Sequence, residues 1–164
     1  MRIKYRRRRA PKTDYKARLA MLKSGLLRLV VRKSNRYIIA HIVKSIEAQD
    51  YTLAYANSKE LKKYGWPLGF KNLAASYLTG FLLGKKFIKK YPEAKNQKMI
   101  LDIGLQRSTK GSRIYACVQG MLDSGIEVLC KKEMLPGARV MMEYKNKKIK
   151  EILEEVKKEI EKNE

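Results

Sequence analysis

Acidic residues are scarce in this sequence. Its 164 residues hold 16 Asp and Glu against 38 Lys and Arg, for a formal net charge of +22. A free domain of this size usually carries a far smaller imbalance. Packing so much like charge into one body costs stability through self-repulsion. The composition therefore calls for a polyanionic partner, nucleic acid first and an anionic membrane surface second. Long apolar runs are also missing. None approaches the roughly 20 residues that cross a bilayer, and no apolar stretch follows the basic N-terminus as in a secretory leader. No membrane partner is expected. Cysteine is rare: Cys117 and Cys130 are too few and too far apart for a zinc knuckle or a disulfide framework. They read as reduced thiols of a cytoplasmic protein. The single histidine, His41, sits in an apolar strand pattern and reads as a strand residue, not a general base. There is no nucleophile elbow, phosphate loop or HExxH. Neither a catalytic group, a cofactor, a metal nor a small-molecule substrate is expected.

What is present supports a folded protein. Hydrophobic residues make up 45% of the chain, enough for a core, and the length suits one compact domain with tails. The charge is unevenly spread. Residues 1–36 carry a net +13, residues 37–146 a net +9, and residues 147–164 none. A basic run is often only a solvated tail, but this concentration beside a neutral C-terminus favours an RNA- or DNA-binding arm.

Residues 1–12 show no apolar period. Arg6, Arg7, Arg8 and Arg9 are four successive guanidinium groups, so the segment is expected to be extended until it orders against phosphates. Tyr5 could stack on a base, although a lone tail tyrosine is about as often just exposed. Thr13 and Asp14 signal a helix start and Gly25 a stop, predicting a helix over 14–24 with Tyr15, Leu19 and Leu22 on one stripe. Leu26–Arg32 and Arg36–Val43 read as a hairpin around Lys33, Ser34 and Asn35. Arg28 and Arg32 lie on its outer face, opposite Leu27, Leu29 and Val31. A third strand over Tyr51–Ala56 completes a meander. Residues 57–69 read as a loop. Phe70–Lys90 follows a helical period through Phe70, Leu73, Ala74, Tyr77, Leu78, Phe81 and Leu82, with Gly80 and Gly84 placed for close approach to a sheet. Met99–Leu105 reads as a strand joining in parallel after the crossover. A helix bearing Ile114, Cys117, Val118, Met121 and Leu122 follows and stops at Gly125. Ile126–Leu129 allows a short strand, and 146–162 a final amphipathic helix that packs on the body or on a neighbouring protein.

The fold class is thus α/β: a mixed sheet, with an antiparallel three-strand meander plus a parallel strand, packed with helices and preceded by a basic extension. The expected divisions are an arm at 1–13, a core domain at 14–130, and a connector with helix at 131–164. The segment from Gly104 through Gly111 is not a P-loop, because the required glycine-lysine-serine ending is missing. It can still present backbone amides to phosphate at a helix start, beside Arg107, Lys110 and Arg113. The element order also suits a ribonuclease H-type nuclease. Such chemistry needs several carboxylates converging on paired metals, and the candidates would be Asp50, Asp102 and Asp123. The first strand has no acid, so this reading is the weaker one. Asp102 reads better as a strand-end residue bonding loop amides.

Five segments carry a resemblance. They are the RRRR cluster before TDYKARLAMLKSG (Arg6 to Gly25), RLVVRKSNRYIIAHIV (Arg28 to Val43), SKELKKYGW (Ser58 to Trp66), AASYLTGFLLGKK (Ala74 to Lys86) and LDIGLQRSTKGSRIYACVQGMLDSGIEV (Leu101 to Val128). Together, over roughly residues 4–130, the chain resembles the universal large-subunit ribosomal protein eighteen family in its archaeal form. The resemblance implies a non-catalytic structural component of the large subunit, with ribonuclease H-like topology. Its expected partners are 5S rRNA, large-subunit rRNA and neighbouring proteins of the central protuberance. It also implies which residues meet RNA. Arg6 to Arg9, Lys12 and Lys16 would follow phosphates. Arg28, Arg32, Lys33, Asn35 and Arg36 would form a strand-face platform. Arg107, Ser108, Thr109, Lys110, Ser112 and Arg113 would form a loop contact. Arg2, Lys4, Tyr5, Tyr15, Arg18 and Ser34 complete the candidate set. Most contacts of this kind go to phosphate and sugar, so recognition would rest on RNA shape. The competing reading is a general nucleic-acid binder.

Overall fold

The computed structural model describes residues 3, 6–47, 49–94, 96–137 and 147–163, with backbone alone at 7, 8 and 147–149. A single helical turn, α1 (Arg6–Arg9), comes first, closed by the Ala10 amide on the Arg6 carbonyl at 3.0 Å. The extended course expected for this cluster is therefore not adopted. Arginine is a good helix former, and one turn needs only a local backbone bond. Helix α2 (Tyr15–Lys23) starts where expected, its first amides capped by Asp14, which accepts from Lys16 and Ala17 at 3.0 Å each. It carries no buried residue. Tyr15 and Leu19, expected on one stripe with Leu22, are exposed, and the helix contributes nothing to the buried core.

Strands β1 (Leu27–Lys33), β2 (Ile38–Ile46) and β3 (Gln49–Asn57) form the antiparallel meander. The β1–β2 turn is closed by Ser34, whose amide and hydroxyl both donate to the Tyr37 carbonyl at 2.9 Å. Strand β4 (Met99–Asp102) pairs in parallel with β1, and β5 (Val128–Leu129) in parallel with β4. The sheet order is β3-β2-β1-β4-β5. Strand β4 stops at Asp102 rather than Leu105 because the chain turns through Gly104 at φ +62.

The segment expected as a loop at 57–69 contains a 3₁₀ helix, Ser58–Tyr64. Asn57 and Glu60 form a reciprocal capping box there, a short-range signal that the missing 3.6 periodicity hides. Helix α3 (Leu73–Lys90) begins three residues after Phe70, because Asn72 caps it through the Ala75 amide at 2.7 Å. Helix α4 (Arg113–Asp123) and helix α5 (Lys147–Asn163) follow among the described residues.

Alternation along the strands decides what is inside. Leu27, Leu29, Val31, Ile38, Ala40 and Ile42 are buried on the face covered by α3 and α4. Gly80 and Gly84 allow close approach, but to α4 and not to the sheet. A Cβ at Gly80 would strike the Cys117 carbonyl, and one at Gly120 would strike the Tyr77 carbonyl. Cys117 is sealed between them, and burial pushes its thiol up to about 12. Helix α5 covers α3 on a further side, burying Leu153, Val156 and Ile160 and setting Lys157 Nζ 4.9 Å from the Phe81 ring centre. Among the described residues no helix is long and apolar enough to cross a membrane.

Candidate nucleic-acid interface

Three groups far apart in sequence meet where β1 and β4 end. Parallel pairing puts Val30 opposite Asp102, so the turn after β1 and the loop after β4 emerge side by side. Arg32 binds this junction: its Nη1 donates to the Asp102 carbonyl at 2.7 Å and its Nη2 to Asp102 Oδ1 at 2.8 Å. The Gly104 amide donates to the same Oδ1 at 2.9 Å, as expected of a strand-end aspartate. Gln106 Nε2 then donates to the Lys33 carbonyl at 3.3 Å, joining loop to turn. A cleft of about 460 Å³ separates α2 from this junction, with Lys12, Arg18 and Arg32 on its walls. A second cleft, of about 530 Å³, opens between the starts of α3 and α4, lined by Lys33, Lys71, Arg107 and Arg113. Arg113 Nη1 donates to the Lys71 carbonyl at 3.1 Å and ties the two helix starts together.

Beneath this surface lies Arg28, which corrects one expectation. It is 2% exposed and faces no solvent. Its Nη2 donates to Asp50 Oδ1 at 2.6 Å and to Ser45 Oγ at 2.9 Å, while Nη1 lies 3.4 Å from Asp102 Oδ2. Asp50 also receives Arg18 Nη2 at 2.7 Å. Partial burial of the Asp50 carboxyl raises its pKa, but hydrogen bonds from Ser45, Arg18 and Arg28, with the Arg28 charge, outweigh that and hold it at about 2. Asp50 and Asp102 thus face guanidinium groups. Asp123, the third candidate, accepts the Tyr77 hydroxyl at 2.7 Å. Among the described residues no three His, Cys, Asp or Glu side chains are grouped to hold a metal.

Comparison with known proteins decides the kinship. The family described as ribosomal large subunit proteins 60S L5, and 50S L18, matches residues 1–99 and 89–131. The chain belongs to this family. It is 53% identical over 134 residues to the large ribosomal subunit protein uL18 of Korarchaeum cryptofilum, covering 82% of this chain and 67% of that one. The uL18 of Caldivirga maquilingensis is 46% identical over 136 residues, covering 82% and 64%. That of Methanothermobacter thermautotrophicus is 42% identical over 134 residues, covering 82% and 68%. The chain thus spans about two thirds of the length of these relatives. It is thus a large-subunit ribosomal protein of archaeal type, part of the translation machinery.

In this uL18-family chain the other expected contacts differ in their exposure. Arg6, Arg9, Lys12, Tyr15, Lys16, Lys33, Asn35, Arg36, Arg107 and Thr109 are exposed. Arg18 and Arg32 are partly exposed while holding their carboxylates. Ser34 is exposed, but its polar groups close the β1–β2 turn. Ser108 shares a 2.6 Å hydrogen bond with the Tyr115 hydroxyl, and Lys110 pairs with Glu133 at 3.8 Å. That last pair is largely exposed on both sides and contributes little. Arg2, Lys4 and Tyr5 lie outside the described residues, as do the side chains of Arg7 and Arg8. Sequence reasoning missed Lys71 and Asn72. The signal was present in the order Lys-Asn before the apolar run Leu73-Ala74-Ala75, a helix N-cap with a cation beside it.

Proposed function

We propose that this protein is a non-catalytic clamp that binds 5S rRNA and anchors it to large-subunit rRNA in the central protuberance, beside neighbouring subunit proteins and in cytoplasmic ribosomes. The observation that carries the reading is the junction at the ends of β1 and β4. There the α2 segment, the β1–β2 turn and the β4–α4 loop present cations together, while the carboxylates below them face inward to Arg28 and Arg32. Positive charge is thereby left outward over an internally neutralised base. That suits a phosphate backbone, which takes Arg forks and Lys point charges.

The strand order β3-β2-β1-β4-β5 supports a ribonuclease H-like topology with its carboxylates diverted to structural ion pairs. Residues 1–13 act in this reading as the basic N-terminal arm, with Arg2, Lys4, Tyr5, Arg6, Arg7, Arg8, Arg9 and Lys12 along phosphates. The core, 14–130, supplies Tyr15, Lys16, Arg18, Arg32, Lys33, Ser34, Asn35, Arg36 and the loop from Arg107 to Arg113. The remainder, 131–164, is a connector and a helix facing away from RNA.

The net charge of +22 also favours a general nucleic-acid binder. A mobility-shift titration with 5S rRNA separates the two, using excess transfer RNA and duplex DNA as competitors at two salt concentrations. Retention of the 5S complex against both competitors is the expected result. Equal loss to every competitor would leave only a polyanion-binding surface.

A further inference from the structure

We infer that the cleft between the starts of α3 and α4 is a seat for one phosphate group of the RNA backbone, with the Ser112 hydroxyl as its specific donor. The inference rests on the RNA-binding reading above and narrows it to one atom group at one place.

The two helix starts differ in how their caps are used. Asn72 Oδ1 accepts from the Ala75 amide and so serves α3. Ser112 holds the equivalent position on α4 but makes no side-chain cap bond. Its Oγ is closed to solvent and has no hydrogen-bond partner in the protein. Native structures seldom leave a buried hydroxyl in that state without a missing partner. The first amides of α4 likewise find no acceptor within the helix itself.

Charge around this hydroxyl has one sign. Lys33, Lys71, Arg107 and Arg113 line the cleft and no carboxylate does. The neighbouring cleft beside α2 differs, since Asp14 and Asp102 stand among its walls. Two helix dipoles also point their positive ends into the same space. The Arg113 bond to the Lys71 carbonyl ties one helix start to the other. A tetrahedral oxyanion accepts from a hydroxyl, from amides and from cations at once. A flat base edge uses no such set. The source of the phosphate is a phosphodiester in folded RNA, and inorganic phosphate offers the same chemistry in isolation.

The test uses the full chain and 5S rRNA, with affinity measured across a salt series. Thermal melting of each free variant confirms that it is folded. Lys71→Ala is expected to lower affinity and to reduce the salt slope by about 0.7–0.9, the value of one lost phosphate contact. Ser112→Ala removes no charge, so affinity is expected to fall about tenfold with the slope unchanged, and Ser112→Thr to restore it. Lys98→Ala, at the opposite end of β4, is the control and should leave both unchanged. A parallel titration of the free protein with inorganic phosphate, read at the amides of Arg113, Ile114 and Tyr115, distinguishes the sources. Shifts there mean that the seat takes free phosphate too; their absence, with the RNA effects intact, means that it takes only the phosphodiester. If wild type binds 5S rRNA specifically and both Lys71→Ala and Ser112→Ala bind like wild type, the seat is wrong and the RNA reading stands. If wild type shows no 5S preference, that reading fails, and absence of the phosphate shifts then overturns the seat as well.

Discussion

Arg28 Nη2 lies 2.6 Å from Asp50 Oδ1, a pairing that joins the start of β1 to the start of β3 under the open face of the sheet. The guanidinium is almost wholly enclosed, and Asp102 holds its other side. Replacing it with an apolar residue leaves the buried Asp102 with Arg32 alone. Breaking such a pair costs about 3–5 kcal/mol, and the remaining Arg32 bond puts Arg28→Met near the lower figure. Urea denaturation should register that loss, while the folded variant keeps its RNA affinity. Weakened binding at full stability would instead put Arg28 in contact with RNA.

The same network gives the protein an acid limit. Asp50 titrates at about 2 when folded, against an ordinary value of 3.8. Between these values the unfolded chain binds the extra proton, so stability rises with pH across the window. The contribution is complete above pH 4 and disappears as pH falls through about 2. Melting temperatures measured from pH 5 to pH 2 should drop more steeply for wild type than for Asp50→Asn. Parallel curves would remove Asp50 from the account.

Helix contact through glycine sets a second stability test. The Cβ introduced by Gly80→Ala would collide with the Cys117 carbonyl, forcing the helices apart. Overpacking of this sort costs about 1–3 kcal/mol. The gain in helix propensity on replacing glycine, about 1 kcal/mol, opposes it only in part. Denaturant midpoints should fall for Gly80→Ala and for Gly120→Ala. An unchanged midpoint would mean that the helices adjust without strain.

The N-terminal segment is tested by removal. Deleting residues 1–12 takes away Arg2, Lys4, Arg6 to Arg9 and Lys12. Fewer counterions are then released on binding. We expect weaker 5S rRNA affinity and a flatter dependence on salt, with the melting temperature of the free protein little changed. A salt slope equal to that of the full chain would take this segment out of the interface.

Much of the fold was legible because its signals are local. Period-2 alternation located the meander through Leu27, Leu29 and Val31. The 3.6 period located α3, and Gly25 and Gly125 marked helix stops. Alternation, however, says only that Arg28 shares a face with Arg32. It does not say that Ser45 and Asp50 arrive beneath it from the β2–β3 hairpin. Burial of Arg28 is a tertiary fact, set by chain returning 22 residues later. The cleft at Lys33, Lys71 and Arg107 was hidden for the same reason, since its walls come from three connections that meet only after β4 pairs with β1. The stripe on α2 misled in the other direction. Tyr15 and Leu19 have helical spacing, but both are exposed, because spacing alone does not say how deeply the body receives that side of a helix.

The glycines between α3 and α4 also bear on how this sequence can drift. At Gly80 a side chain would meet main-chain atoms of Cys117, and at Gly120 main-chain atoms of Tyr77. No second mutation can trim a backbone, so an error at either position has no local suppressor. At Gly84 the obstacle is the Ser124 side chain, which Ser124→Gly removes. The helix pair therefore contains two irreplaceable contacts and one negotiable one, and only the last leaves a reversible path through sequence space.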